Sequence, residues 1–261
     1  MRGTFIFFFT FLSYLQGISQ PLHFTMDHGA VIRTDSMKKV VSLAFTGHEF
    51  ADGYETVRFV LNHYEIKASF FFTGDFYRNP DFKKMIRSLR ADGHYLGAHS
   101  DKHLLYCRWE DRDQLLVSKD SFLLDLGNNY EAMRKVGIQK KEAPYFMPPY
   151  EWYNDSISQW TQKFGLTLIN FTPGTSSNAD YTYPELGQQY VDSQTILERI
   201  LQYEREHSLK GFILLLHIGT DPRRKDKFYR HLDELLTKLQ QRGYSFATLW
   251  ESMEENQADS Q

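Results

Sequence analysis

The chain has 261 residues, of which 41% are hydrophobic and 16% aromatic, and its formal net charge is −3. This length and this apolar fraction suit one sizeable domain with a packed core. The nearly balanced charge indicates neither a nucleic-acid-binding protein nor a protein drawn to anionic membranes. The single cysteine, Cys107, excludes an internal disulfide.

The N-terminus has the pattern of a secretory signal peptide. Arg2 supplies a positive charge, a Phe-rich apolar run extends from Thr4 to Leu15, and the small residues Gly17 and Ser19 suit the cleavage positions. Because the run is short for a bilayer span, an uncleaved anchor is only the alternative. We therefore expect residues 1–19 to be removed. The mature protein is then periplasmic or secreted and has no stable membrane insertion.

Beyond residue 20, apolar runs alternate with segments of helical periodicity. Seven strands are predicted, at residues 40–45, 68–73, 94–98, 143–147, 166–170, 212–217 and 245–249. Strict alternation with helices predicts a parallel α/β sheet, either a barrel or a doubly wound open sheet. We expect residues 20–250 to form one domain that opens with an irregular lead-in at 20–37. Residues 251–261 are predicted to be a polar C-terminal tail.

Ionisable side chains follow several of these strands at their carboxyl ends. They are Asp52, His99, His103, Asp180 and His217. In parallel α/β folds, the carboxyl ends of the strands meet at one edge, where sites gather. At a spacing of four residues, two imidazoles can face one metal ion. A catalytic zinc site also needs about one more protein ligand and an open position for water. The alternative is a pair of surface histidines in a polar loop.

The strongest motif is His99-Ser100-Asp101-Lys102-His103, which fits a His-Ser/Thr-x-x-His metal motif. Through it, the chain resembles the polysaccharide deacetylases of the NodB-homology type, carbohydrate esterase family 4, from about residue 39 to 250. Leu215-Leu216-His217 resembles the family's late histidine motif, and Asp180-Tyr181 its Asp-Trp motif. The resemblance implies a deformed (β/α)7 barrel. It also implies a metal-dependent hydrolase that removes N- or O-acetyl groups from a poly- or oligosaccharide.

The resemblance also implies roles for individual residues. A divalent metal, zinc or else nickel, cobalt or manganese, would be held by Asp52, His99 and His103. His217 would protonate the leaving group, with Asp180 orienting it. The backbone N–H of Tyr150 would stabilise the oxyanion.

Two departures from the family pattern concern the base. The family's first motif is Thr-Phe-Asp-Asp-Gly, whereas here the strand ends Ala44-Phe45-Thr46 and Asp-Gly appears only at Asp52-Gly53. We interpret residues 46–51 as containing an insertion, which places Ala51 where the family has its base. The family's third motif is Arg-x-Pro-Tyr, and Met147 replaces the arginine that pairs with that base.

We expect Glu49, in the inserted loop, to act as the base. His48 is an alternative base or an extra ligand, and a metal-bound water could need little help from any base. Aromatic residues in the rim loops would stack on sugar rings. They are Trp152, Tyr153, Tyr181 and Tyr183.

Two other functions stay open. The first is a non-catalytic carbohydrate-binding relative that keeps the metal site, which the missing base and arginine motivate. The second is a metal-dependent hydrolase acting on a bond outside sugars. The sequence specifies neither the sugar nor the acetylated position.

Overall fold

The computed structural model describes residues 24–258, with side chains described up to Glu254. The predicted signal peptide, residues 1–19, lies outside this range. In the part of the chain that is described, no helix is long and apolar enough to cross a bilayer.

Strands and helices alternate through most of the chain. The strands are β1 (Thr25–Asp27), β2 (Ala30–Arg33), β3 (Val40–Gly47), β4 (Ser69–Phe72), β5 (Tyr95–Ala98), β6 (Tyr145–Phe146), β7 (Thr167–Leu168), β8 (Phe212–His217) and β9 (Ser245–Phe246). The helices are α1 (Tyr54–His63), α2 (Gly74–Arg78), α3 (Lys83–Ala91), α4 (Lys119–Lys135), α5 (Asp155–Lys163), α6 (Ser193–His207), α7 (Leu232–Gln241) and α8 (Leu249–Ala258).

The strands form one mixed sheet in the order β1-β2-β8-β3-β4-β5-β6-β7, with β9 also pairing with β3. From β8 to β7 every pairing is parallel, and only the pairings of β2 with β1 and β8 are antiparallel. A bridge between Val31 and Ile169 brings the hairpin against the chain that follows β7. The sheet therefore curls into a half-barrel flanked by helices, which confirms the predicted α/β barrel.

The centre of the barrel is aromatic because its strands are buried on both faces. Phe70, Phe71 and Phe72 of β4 have no exposed surface. The ring of Phe70 stacks on that of Phe45 in β3, with centroids 5.0 Å apart. Burial of each such side chain contributes about 2–3 kcal/mol to folding. This packing fixes the neighbouring strands that carry the site.

Two terminal segments differ from the sequence prediction. The expected irregular lead-in contains the β1–β2 hairpin, which pairs with β8 at Arg33 and Phe212. The expected polar tail is largely helix α8, where Ser252 and Met253 are buried. The hydroxyl of Ser252 lies 2.9 Å from that of Ser42 in β3. Both segments owe their structure to contacts with distant strands, which local sequence patterns do not reveal.

Strand register brings three chain exits to one level of the half-barrel. Thr46 pairs with His217, Gly47 with Phe72, and Phe72 with Ala98. The residues that follow β3 and β5, and the last residue of β8, therefore lie at one edge of the sheet.

The segment after β3 crosses closely over the segment after β8. A Cβ added at Gly219 would lie 2.3 Å from the backbone N of Ala51 and 2.4 Å from the carbonyl carbon of Phe50. The N–H of Gly53 donates to the Ile218 carbonyl at 2.9 Å. This crossing fixes the loop that leaves β3.

We expect Gly219→Ala to lower the free energy of unfolding by about 1–3 kcal/mol, because a new methyl group there forces backbone to move. Gly127→Ala is the matched control, since Gly127 lies inside α4 with nothing within 4 Å of the added Cβ. That control should gain about 0.5–1 kcal/mol from the better helix propensity of alanine. Urea unfolding of both variants measures the difference, and equal stabilities would contradict the close crossing.

Candidate active site

Three histidines lie together at the carboxyl edge of the sheet. The ring of His48 stacks on that of His103, with centroids 4.8 Å apart and planes within 8° of parallel. The ring of His99 lies 5.1 Å from that of His103. His48 directly follows β3, and His99 directly follows β5. Strand register thus assembles a histidine cluster from His48, His99 and His103.

The surroundings of His99 and His103 keep both rings neutral. Burial lowers the pKa of His99 to about 3 and that of His103 to about 2. The Nδ1 of His99 lies 2.9 Å from the Met147 carbonyl, which can only accept a hydrogen bond. Nδ1 therefore carries the proton of His99, and its Nε2 keeps a free lone pair.

The loop from His99 to His103 is held by buried polar groups of α4. One carboxylate oxygen of Asp125 accepts from the Ser100 hydroxyl at 2.7 Å and from the Asp101 N–H at 2.9 Å. The side-chain oxygen of Asn129 accepts from the His99 N–H at 2.9 Å. The φ angles of Ser100 and His103 are 71° and 55°. These hydrogen bonds offset the left-handed backbone that turns His103 back toward the cluster.

The partly buried His217 and the buried Asp180 form an acid–base pair beside the histidine cluster. The carboxylate of Asp180 accepts from Nδ1 of His217 at 2.6 Å and from the His217 backbone N–H at 2.9 Å. Burial alone would lower the pKa of His217, but the charge and hydrogen bond of Asp180 outweigh it and leave that pKa raised. The pair has the arrangement expected of a proton donor and its orienting carboxylate.

The structure does not bring Asp52 to the histidine cluster. Its carboxylate lies 2.8 Å from Nζ of Lys227 and accepts from the Thr220 N–H at 2.8 Å and from the Tyr229 hydroxyl at 3.1 Å. Partial burial opposes ionisation of Asp52, yet the Lys227 hydrogen bond lowers its pKa below the usual value. In this structure the Asp52 carboxylate is therefore engaged in an ion pair with a nearly buried ammonium, and its role as a metal ligand stays a prediction.

The first two residues of the predicted insertion at 46–51 belong to β3. β3 continues unbroken to Gly47, so Thr46 and Gly47 end the strand and His48 comes next. A Cβ at Gly47 would lie 2.8 Å from Ile218 Cγ2 and 2.9 Å from Phe72 Cδ1. The strand end thus has no room for a larger side chain at Gly47 and presents no carboxylate there.

Glu49, the predicted base, faces outward. Its side chain is 67% exposed, and Oε1 lies 4.0 Å from Nε2 of His48. It lines a cavity of ≈ 670 Å³ together with Asp52, Lys84, Lys225 and Arg230. Glu49 therefore lies in solvent among other charged side chains, and His48 is the member of the histidine cluster that it approaches.

One carboxylate at this rim was missed by the sequence reasoning. Glu151 directly follows Tyr150 and interacts electrostatically with His217 and Asp180. Burial raises its pKa to about 7, and the charge of Asp180 adds to this while His217 opposes it. In the sequence, the one indication of this residue is that a glutamate directly follows the motif residue Tyr150. The approach of Glu151 to His217 depends on the backbone turn at these two residues.

Aromatic side chains surround the opening of the site. Tyr150 meets His103 edge-on at 4.4 Å, Trp109 meets Tyr150 at 5.7 Å, and Trp152 stacks on Trp109 at 5.8 Å. Across the site, Tyr181 lies 5.3 Å from His217. We call Trp109, Tyr150, Trp152 and Tyr181 the aromatic rim. Tyr153, which was expected with them, is fully buried instead.

The side chains fit a divalent metal only in part. The neutral imidazoles of His99 and His103 suit a metal ligand, and His48 is the next nearest imidazole of the cluster. Among residues 24–258, no three His, Cys, Asp or Glu side chains are arranged to hold a metal ion. Asp52 supplies no third donor, because Lys227 neutralises it.

Comparison with known proteins finds a matching family model and several relatives. A family model for polysaccharide deacetylases matches residues 33–169. The peptidoglycan-N-acetylmuramic acid deacetylase PdaA of Bacillus subtilis (strain 168) is 23% identical over 80% of this chain and 71% of its own length. The uncharacterized protein YlxY of the same organism is 23% identical over 75% of this chain. The chain spans about half of YlxY, 51% of its length.

Solved structures of this group share the fold. The structure of Bacillus subtilis PdaA, a family 4 carbohydrate esterase, has a TM-score of 0.68 and 21% identity, covering 87% of this chain and 86% of that one. A carbohydrate esterase family 4 pseudoenzyme from Bacillus anthracis has a TM-score of 0.66 and 18% identity, covering 87% and 69%. At these identities the likeness establishes the fold and no more.

We expect Asp180→Asn to lower the pKa of His217, since burial then acts without the opposing carboxylate. Because folding raises this pKa above the ordinary value of about 6.5, the pair stabilises the fold fully below pH 6.5. That contribution is lost as the pH rises through the folded pKa. Titration of the His217 ring by NMR, with urea unfolding on both sides of this window, measures both effects.

The exposed ring of His63 on α1 serves as the internal reference for that titration. An unchanged His217 midpoint in Asp180→Asn would contradict the role given to the carboxylate.

Proposed function

The chain belongs to the polysaccharide deacetylase family, and we propose that it hydrolyses N- or O-acetyl groups of a poly- or oligosaccharide. The observation that carries the proposal is the pairing of His217 with both carboxylate oxygens of Asp180 at the carboxyl edge of the barrel. The pair lies beside a histidine cluster and opens toward an aromatic rim.

The chain's own residues account for proton donation and for charge stabilisation. With its pKa raised by Asp180, His217 carries a proton that it can give to the leaving nitrogen or oxygen of the sugar. Asp180 holds the ring and stabilises its charged form. The backbone N–H of Tyr150 is the proposed donor to the oxyanion, and the φ of 59° at Tyr150 sets the direction of that N–H.

The family generally depends on a divalent metal. In this chain His99 and His103 would hold that metal, which would polarise the acetyl carbonyl and lower the pKa of a bound water. Zinc suits imidazole donors, and nickel, cobalt or manganese are alternatives. His48, rather than Asp52, is the side chain next to this pair.

The aromatic rim supports a carbohydrate substrate. Trp109, Tyr150 and Tyr181 are 53%, 44% and 47% exposed, which is unusual for large aromatic side chains. Such rings stack on the apolar faces of sugars. Together with the expected signal peptide, this supports an exported enzyme acting on acetylated glycans. Cell-wall glycan is one candidate, since the relative PdaA is named a peptidoglycan deacetylase.

A second candidate function is non-catalytic carbohydrate binding. The strand end at Thr46 and Gly47 lacks the aspartates of the family's first motif, and the described residues offer no ready three-ligand metal site. The Bacillus anthracis relative is itself named a pseudoenzyme. Under this candidate, the aromatic rim would bind glycan and the histidine cluster would be structural.

Acetate release separates the two candidates. We expect the protein to release acetate from at least one of three substrates, namely acetylated xylan, chitooligosaccharides and peptidoglycan fragments. His217→Gln should lower the rate by about 10²–10⁴-fold, because the leaving group then loses its proton donor. The matched control is His63→Gln on the exposed face of α1, which should keep the wild-type rate.

Failure to release acetate from every substrate, with glycan binding retained in a calorimetric titration, would favour the binding function instead. Equal rates in His217→Gln and the wild type would contradict the role of His217 alone.

Metal content distinguishes the histidine pair from Asp52. We expect His103→Ala to lose bound metal after dialysis, and Asp52→Asn to retain it, since Asp52 is engaged by Lys227. Asp52→Asn should still fold, because Lys227 keeps the Thr220 carbonyl, the Thr220 hydroxyl and the Asp221 carbonyl as acceptors. Mass spectrometric metal analysis of both variants gives the answer, and loss of metal in Asp52→Asn would restore it as a ligand.

A further inference from the structure

We propose that Glu151, which lies beside His217, is the base of the deacetylation and takes a proton from the attacking water. This inference rests on the proposed function and adds to it the residue that accepts the proton. Its carboxylate would replace the one missing from the end of β3.

The backbone at Glu151 is held in a conformation that glutamate rarely adopts. The φ angles of Tyr150 and Glu151 are 59° and 54°, so two successive residues with side chains are left-handed. Each such residue costs of order 1–3 kcal/mol and persists only where its surroundings fix it. Glycine would occupy this position without strain.

Hydrogen bonds on both sides of Glu151 fix this turn. Its N–H donates to the Pro148 carbonyl at 3.1 Å, and its carbonyl accepts from Nδ2 of Asn170 at 3.0 Å. Asn170 is itself buried, and its N–H donates to Val31 in the hairpin at 2.9 Å. The backbone of the turn is therefore tied through Asn170 to the β1–β2 hairpin.

The Glu151 carboxyl interacts electrostatically with three groups of the site. They are His217 at the end of β8, and Asp180 and Tyr181 in the short 3₁₀ helix Ser177–Tyr181. Burial and Asp180 oppose its ionisation, whereas His217 favours it, and the resulting pKa of about 7 suits a base at neutral pH. His217 in turn interacts with Asp180, Glu151 and the buried Arg224.

The other carboxylates nearby are less suited to this role. Both oxygens of Asp180 are engaged by His217. Asp52 is paired with Lys227, and the Glu49 side chain is largely in solvent. Glu151 is the remaining carboxyl close to His217. In the described part of the chain, the oxygens of Glu151 have no stronger partner than His217.

The reaction balances with these two residues. Glu151 removes one proton from water as the water oxygen bonds to the acetyl carbon, which gives a tetrahedral oxyanion. The carbon–nitrogen or carbon–oxygen bond to the sugar then breaks, and the leaving atom takes the proton of His217. The products are acetic acid and the free amine or hydroxyl, and the proton on Glu151 returns to His217 or to solvent.

Measurement of the rate against pH in Glu151→Gln tests the proposal. In the wild type we expect activity to rise as Glu151 loses its proton near pH 7 and to fall again as His217 loses its own. Glu151→Gln should lose about 10²–10⁴-fold in rate and should lack the rise near pH 7. Its glycan binding and metal content should match the wild type.

The matched control is Glu65→Gln. Glu65 is also left-handed, with a φ of 55°, but it is exposed in the turn after α1. This variant should keep the wild-type rate and pH profile. Glu151→Gly provides a second test that does not depend on how glutamine fits, because glycine suits the φ of this position. It should melt no lower than the wild type and should be as inactive as Glu151→Gln.

Three outcomes would overturn the proposal. A folded Glu151→Gln with the wild-type rate and pH rise would exclude Glu151 as the base while leaving the deacetylase function intact. Loss of that rise in Glu49→Gln instead would assign the base to Glu49. Absence of acetate release from the wild type on every substrate would reject both the proposed function and this inference.

Discussion

The parallel pairing of β3 with its two neighbours β4 and β8 is the constraint on which the site depends. It sets Thr46 beside His217 and Gly47 beside Phe72, and the pairing of β4 with β5 then sets Phe72 beside Ala98. Since neighbouring strands are about 4.8 Å apart, three chain exits must converge within a small space. The histidine cluster and the His217–Asp180 pair are consequences of this register, supported by the phenylalanines buried beneath it.

The histidines of the site have pKa values shifted in opposite directions. Burial lowers the pKa of His99 and His103 and favours their neutral forms, whereas the carboxylate of Asp180 raises the pKa of His217 and favours its charged form. The cations that follow β8 are used for structure. Arg224 is fully buried and donates to the Val191 carbonyl at 2.9 Å and the Ser193 hydroxyl at 3.0 Å, which ties down the loop that carries Asp180. Arg224 and Lys227 are therefore committed to contacts within the fold.

The chain keeps the motif histidines and the His217–Asp180 pair, which resemble the family pattern. At the end of β3 it lacks the carboxylates of the family's first motif. The tight packing at Gly47 leaves no room for a larger side chain. Met147 occupies the motif position at which the family has the arginine that pairs with its base. A charge without its partner is costly in such a site, so the two losses belong together. In our proposal, the left-handed turn at Tyr150 and Glu151 supplies a carboxylate to the site from a different strand.

The sequence by itself determined the alternation of strands and helices, the histidine motif and the late histidine, because periodicity and short motifs are local. It also identified Asp180 as the partner of His217, although through family resemblance rather than spacing. Only the tertiary structure decided what stands opposite the histidines. We assigned Asp52 as a metal ligand by assuming an insertion after β3. In the structure, strand register places His48 against His103, and Asp52 forms an ion pair with Lys227. The approach of Glu151 to His217 likewise depends on a strained turn fixed by Asn170, a contact between distant segments that no local pattern records.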